Sequence, residues 1–217
     1  MQPISVNKQS SIRLEGSKVL YFDPLEVKTR HDADYIFITH PHFDHFSLLS
    51  ILELKKEGTV IITTKDIVEE LLSVGFDEEY IMVVKPNKTY SLKNIEFKTI
   101  PAYNLHKKNH PKASGWVGYV VNLDNVIYYI MGDTDVTKEA KEVECDVLFV
   151  PVGGTYTMDC LEAAALTNYI GPKLAIPIHY GYVAGSIKDA FVFKKKLDPT
   201  IHCEILLEEE KDKKNHA

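Results

Sequence analysis

The 217-residue chain is poor in cysteine, with only Cys145, Cys160 and Cys203. The count is odd and no C-x-x-C pair occurs, which excludes a disulfide framework and favours a reducing, cytoplasmic setting. No run of 18 apolar residues is present, so no membrane-spanning helix is expected. Residues 1–11 are polar and lack the apolar stretch of a secretory leader. There is no surplus of basic residues either. Lys and Arg number 25 against 31 Asp and Glu, a net charge of −6, which argues against a dedicated duplex-binding protein while leaving a local basic groove open. Low-complexity and linker-like stretches are missing, so one domain is expected over residues 1–217, with a charged, solvated tail from about residue 208. No feature argues for or against a homo-oligomer.

What is present is an average globular composition, 45% hydrophobic and 26% charged, in a chain long enough to bury a core without staples. The patterning alternates strands and helices. Residues 11–15 and 18–22 flank Gly16 and predict a hairpin. Short apolar strands are expected at 35–39, 60–63, 81–84 and 95–100, with helices at 48–56 and 66–73. Residues 116–122 and 126–131 predict a hairpin around Leu123-Asp124-Asn125. A strand at 146–151, a helix at 159–170, a strand at 174–178 and a helix at 186–196 follow. Asp159 with Glu162 three residues on reads as a capping box, and Gly171-Pro172 as the stop. Residues 34–39 echo residues 146–151: an acid, an apolar strand, then a polar loop and a helix. Two readings of that echo stand: two similar halves, or the common look of a buried strand in an α/β protein.

The one unusual number is nine histidines. Three of them and an aspartate fall within the six residues His40-Pro41-His42-Phe43-Asp44-His45, directly after an apolar strand. Neutral imidazole suits borderline transition metals, and a carboxylate neutralises part of their charge. Asp133 in Met131-Gly132-Asp133-Thr134 and His179 in Pro177-Ile178-His179-Tyr180 also follow apolar strands, and His110 precedes one. Alone, each reads equally as a helix cap, a core histidine or a loop residue. Together they make five histidines and two aspartates, more than one zinc ion needs.

The loop Thr39-His40-Pro41-His42-Phe43-Asp44-His45, the later His110, Gly132-Asp133-Thr134 and the final His179 resemble the metallo-β-lactamase superfamily. Ile100-Pro101-Ala102-Tyr103-Asn104, His110-Pro111-Lys112, Gly153-Gly154-Thr155-Tyr156 and Pro177-Ile178-His179-Tyr180-Gly181 are similar to segments of small metal-dependent hydrolases near the L-ascorbate-6-phosphate lactonases. N-acyl-phosphatidylethanolamine phospholipase D resembles them as a larger relative. The resemblance implies an α/β (α+β) fold, a four-layer αββα sandwich. It implies that His40, His42 and His110 hold one metal, that Asp44, His45 and His179 hold a second, and that Asp133 bridges them. His106, four residues before His110, is the alternative third ligand because the spacing after His110 departs from the usual superfamily motif.

The cofactors so implied are two divalent ions, zinc first, with manganese or iron as alternatives. A shared water with lowered pKa would attack a carbonyl or phosphoryl centre, with Asp44 and Asp133 as catalytic carboxylates. Tyr103, Asn104, His106, Tyr156 and Tyr180 are expected substrate contacts. The expected function is hydrolysis of a small ester, lactone or phosphorylated molecule. A phosphodiesterase or nuclease of the same fold, and a metal-binding protein without turnover, are the alternatives.

Overall fold

The structure, a computed structural model, describes residues 3–93 and 95–207. The charged tail expected from about residue 208 lies outside them. The strands form two sheets, each laid down in chain order. The first contains β1 (Ile4–Val6), β2 (Ile12–Glu15), β3 (Val19–Phe22), β4 (Ala33–Phe37), β5 (Lys55–Thr63) and β6 (Ile81–Val83). The second contains β7 (Lys88–Leu92), β8 (Ile95–Pro101), β9 (Val117–Leu123), β10 (Val126–Ile130), β11 (Val147–Pro151), β12 (Leu174–Ile178) and β13 (His202–Cys203). Both sheets follow one plan. They begin with antiparallel hairpins and change to parallel strands at β3–β4 and at β10–β11. Parallel neighbours need crossovers. Helices α1 (Leu48–Leu54) and α2 (Val68–Ser73) lie in those of the first sheet; α3 (Lys138–Lys141), α4 (Cys160–Ile170) and α5 (Ile187–Lys196) serve the second.

Alternation along β4 shows how the layers close. Tyr35 and Phe37 enter the core shared by both sheets, while Ile36 and Ile38 join a second cluster with Ile51 and Leu54 of α1 and Leu71 of α2. Phe37 stacks on Phe22 at 4.7 Å between centroids and meets Phe97 and Tyr119 of the opposite sheet edge-on at 5.3 and 5.1 Å. Such pairs add ~0.5–1.5 kcal/mol each beyond their buried area. On the far side, α4 and α5 pack together against β11 and β12. The layers are therefore helix, sheet, sheet, helix, the expected αββα sandwich.

The local signals hold at the predicted places. Asp159 accepts the N–H groups of Leu161 and Glu162, Glu162 returns to the Asp159 N–H, and Gly171 ends α4 at φ +67°. Asp124 and Asn125 turn between β9 and β10 at φ 52° and 66°. The echoed acids also play the same part. Asp34 accepts the N–H of Val19 and Asp146 that of Ile127, each at the start of the preceding strand. The clearest departure is β5, which starts at Lys55 rather than residue 60. Its first residues are polar, bulge against β4, and are fixed by Thr59, whose hydroxyl donates to the Ala33 carbonyl. That stretch carries no apolar alternation to read. The short elements β1, β7, β13 and α3 also lie outside the expected pattern.

Candidate metal centre

The histidine-rich loop follows β4, Asp133 follows β10 and His179 follows β12, so the carboxyl ends of strands from both sheets meet at one end of the sandwich. They bring together two groups of donor atoms: His40, His42 and His110, and Asp44, His45, Asp133 and His179, the atoms of each within 4.8 Å of one another. His106, the alternative to His110, is exposed and belongs to neither group.

In the first group, His42 Nδ1 lies 3.1 Å from His40 Nε2 and 3.2 Å from His110 Nε2. One nitrogen cannot satisfy both neighbours, and the far sides of the rings show which atoms are bare. His110 Nδ1 meets the Asn104 side-chain oxygen at 3.1 Å, an acceptor, so Nδ1 carries the proton. Thr39 Oγ1 donates to Asp23 Oδ2 (2.7 Å) and so accepts from His40 Nδ1 (2.9 Å). Both Nε2 atoms thus aim lone pairs inward, as metal ligands do.

The second group is more tightly enclosed. His45 Nδ1 lies 2.7 Å from Asp23 Oδ2, a carboxylate fully out of solvent, which leaves His45 Nε2 facing inward. That atom is 3.1 Å from Asp133 Oδ1 and 3.5 Å from Asp44 Oδ2. His179 Nε2 is 3.0 Å from Asp133 Oδ2 and 3.5 Å from Asp44 Oδ2. Asp133 Oδ2 also lies 3.3 Å from His110 Nε2, so this carboxylate touches both groups. Yet His45 Nε2, His179 Nε2 and Asp133 Oδ1 are buried without an aligned hydrogen-bond partner among the described residues. The atoms converge on common points rather than on one another. Unpaired buried polar atoms are costly, and a cation at those points satisfies them together. The donor chemistry therefore fits a metal ion in each group.

Electrostatics divides the groups further. Burial pushes the His110 imidazole down to about 4, against the pull of Asp133 and with help from neighbouring histidines. Burial and the nearby His45 hold His40 well below its usual value. His179 runs the other way: burial lowers it, but Asp133 and Asp44 outweigh that and lift it to about 9. His45 is likewise raised, chiefly by Asp133 and Asp23 against burial. Asp133 and Asp44 are held below the carboxylate range by these histidines despite burial.

Several supporting residues carry no clear mark in the sequence. Gln9 is fully buried; its Nε2 donates to Asp44 Oδ2 (2.9 Å) and its carbonyl accepts the His179 N–H (3.0 Å). Asp23 binds His45 and, through Thr39, steadies His40. Trp116 packs within 5.5 Å, centroid to centroid, of His40, His42 and His110. Asp23 follows the apolar strand Val19–Phe22 as Asp133 follows β10, a signal that could have found it. Nothing local singles out Gln9. Gln9, Asp23 and His179 adopt φ of 54°, 43° and 59°. Gly153 packs so closely under His179 that a Cβ there would fall 2.3 Å from the His179 carbonyl oxygen.

A cavity of about 200 Å³ opens on the donors His42, Asp44, His110 and Asp133, with Phe43, Asn109, Tyr156 and Val183 completing its wall. A larger hollow of about 420 Å³ lies over β8–β10 beside Glu142 and Glu144, remote from every donor. Of the five expected substrate contacts only Tyr156 lines the smaller cavity. Tyr103 donates to Glu139 (2.9 Å), and Tyr180 to the Leu207 carbonyl (2.6 Å). Asn104 supports His110 while its amide group donates to Asp135 and the Tyr156 carbonyl. Their polar atoms are used inside the protein.

The family model for the beta-lactamase superfamily domain matches residues 5–179, from the first strand to the last histidine of the site. A Staphylococcus aureus protein described as a UPF0173 metal-dependent hydrolase is 32% identical over 199 residues, 82% of this chain and 85% of its own. A Parabacteroides distasonis structure assigned as a metal-dependent hydrolase superposes with a TM-score of 0.78 at 28% identity, covering 94% of this chain and 93% of the other. A metallo hydrolase of the archaeon Ignicoccus hospitalis gives 0.74 at 22% identity over 93% of each chain and shares the fold.

Proposed function

We propose the following chemistry for this chain, which belongs to the beta-lactamase superfamily and is a metal-dependent hydrolase: it cleaves a small ester, lactone or phosphorylated substrate with two divalent ions. His40, His42 and His110 would hold one ion, Asp44, His45 and His179 the other, and Asp133, in contact with both groups, would serve each. When bound, such ions would supply Lewis acidity toward the attacked oxygen and would lower the pKa of a bound water toward neutrality. Imidazole with carboxylate suits zinc first, then manganese or iron.

The protein's own part is placement. Asp44 lines the cavity with one oxygen fixed by Gln9, which leaves it aimed to orient the attacking water. Asp133 brings negative charge where cations gather, and its lack of solvent keeps that charge unscreened. Trp116 walls the three-histidine side and limits water there. The reading takes the chain as one hydrolase domain, supported by a core that joins both sheets. It places the protein in the cytoplasm, supported by three free cysteines. No helix among the described residues is long and apolar enough to cross a membrane.

The observation that carries this reading is the set of buried, unpartnered atoms His45 Nε2, His179 Nε2 and Asp133 Oδ1 within one group of donors. Elemental analysis of protein purified without chelator or histidine tag tests it, with Asp133→Ala alongside. The expected result is close to two metals per chain, falling sharply in the variant, with hydrolysis reduced on the order of 10³-fold. Wild-type protein that is metal-free and takes up neither zinc, manganese nor iron would sink the proposal.

A further inference from the structure

The cavity wall separates into two kinds of residue. His42, Asp44, His110 and Asp133 are donors, assigned above to metal ions. What remains to recognise a substrate is Phe43, Asn109, Tyr156 and Val183, and none of these four carries a charge. Phe43 stands 68% exposed, an aromatic face turned to solvent beside the reacting centre. Val183 adds an aliphatic surface.

None of the lysines nearest in sequence to His110 lines the cavity. Lys107 pairs with Asp135, which also accepts from Asn104 and the Leu105 N–H. Lys112 pairs with Glu139 at 2.7 Å and donates to the Tyr103 hydroxyl. Lys108 is exposed and does not line the cavity. A phosphate remote from the scissile bond needs a cationic fork or a cradle of donors, and among the described residues lining this cavity no side chain supplies a cation. The volume of about 200 Å³ is also below the usual ligand-site range of ~300–1,000 Å³, so the bound portion is small.

We infer that the substrate is a small carboxylic ester or lactone whose non-reacting part is uncharged and aliphatic, seated against Phe43, Val183 and Tyr156. This rests on the hydrolase reading and narrows it: a phosphorylated substrate is set aside. The balance is that of ordinary hydrolysis. Water adds to the acyl carbon, the acyl C–O bond breaks, the leaving oxygen takes one proton of that water, and a carboxylic acid with an alcohol, or a hydroxy acid, results.

The test uses the full-length zinc-loaded protein. Nitrophenyl esters and lactones of increasing aliphatic length are compared with the same lactones bearing a terminal phosphate and with bis(nitrophenyl) phosphate. The expected kcat/KM rises about fourfold per added methylene until the cavity is full. A terminal phosphate should lower it by about tenfold or more, and the phosphodiester should be the poorer substrate. Phe43→Ala should flatten the dependence on length, and Val183→Lys should turn the preference toward the phosphate-bearing lactone. Calorimetry with hexanoate and with the same acid bearing a terminal phosphate reads recognition without turnover, and hexanoate should bind more tightly. Preference of the wild type for the phosphate-bearing lactone or the phosphodiester, or no dependence on length, would overturn the inference. Tighter hexanoate binding with no turnover of any compound would support the uncharged wall and overturn the hydrolase reading instead.

Discussion

His40, His42 and His110 present three imidazoles and no carboxylate, while Asp44, His45, Asp133 and His179 combine two of each. The first group has one half-buried member, His42; every member of the second is buried. Backbone strain divides them too. His179 and the two residues that hold its group, Gln9 and Asp23, lie in the left-handed region, whereas no donor of the first group does. Such conformations cost ~1–3 kcal/mol each and persist only where the surroundings enforce them. The second group therefore carries both strain and compensating charge before any ion arrives. The first is a neutral set that borrows charge from Asp133 next door. Two sites side by side should then differ in affinity, in what supports them and in how pH reaches them.

The largest effects should come from removing one ligand on each side. On the proposed two-metal reading, wild type should release metal to a chelator in two steps at least about tenfold apart in affinity, since only one donor group has its charge offset locally. His42→Ala should abolish the weaker step and keep about one tightly held ion, whereas His179→Ala should abolish the tighter one. Loss of both metals in His42→Ala would break the comparison.

Supporting residues should sharpen it. Changes to groups that orient metal ligands cost ~10–100-fold in affinity. Asn104→Ala, which frees His110 Nδ1, should weaken only the first site. Gln9→Ala, which frees Asp44, should weaken only the second. Asp23→Asn should weaken both, because Asp23 reaches His45 directly and His40 through Thr39. Metal-competition titrations against a fluorescent chelator resolve the three patterns.

The smallest effect is on the stability of the metal-free protein. His110 is neutral when folded, with its pKa pushed down to about 4 mainly by burial. Below about pH 6.5 the unfolded chain binds a proton that the folded one refuses, so this group costs stability as pH falls from 6.5 toward 4. His179 is raised to about 9 because its carboxylate partners outweigh burial. Its contribution is full below about pH 6.5 and is lost as pH rises through 9. Thermal melts in chelator should therefore peak near pH 6.5 and decline on either side, by roughly 2–4 °C per kcal/mol. Zinc should remove the alkaline decline, because the ion takes the place of the proton.

Much of this was legible in the sequence, and the reasons differ by element. His40 to His45 stand together in the chain at the end of an apolar strand, so density and placement announced them. Asp133 and His179 were legible because β10 and β12 are apolar runs with abrupt polar ends. The αββα arrangement came through the resemblance of those motifs, with the strand–helix pattern in agreement. Gln9 was illegible because its role depends on a left-handed backbone and on meeting a loop that is adjacent only after folding. Tyr103 and Tyr180 look like pocket residues in sequence, yet Glu139 and the Leu207 carbonyl claim their hydroxyls. A sequence names donor types; only the fold says whose hydrogen bonds are already spent.

The hydrogen bond from the His179 N–H to the Gln9 carbonyl joins positions 170 residues apart. Contacts of that span form late, since the intervening chain must be ordered before they close. During synthesis at ~5–20 residues per second, His179 leaves the ribosome roughly 7–27 s after His45. Over that interval the histidine-rich loop is without the far imidazole that completes its site. The two donor groups are thus a product of finished folding, and a metal ion that met the chain earlier would find only the open ligand set of the histidine-rich loop.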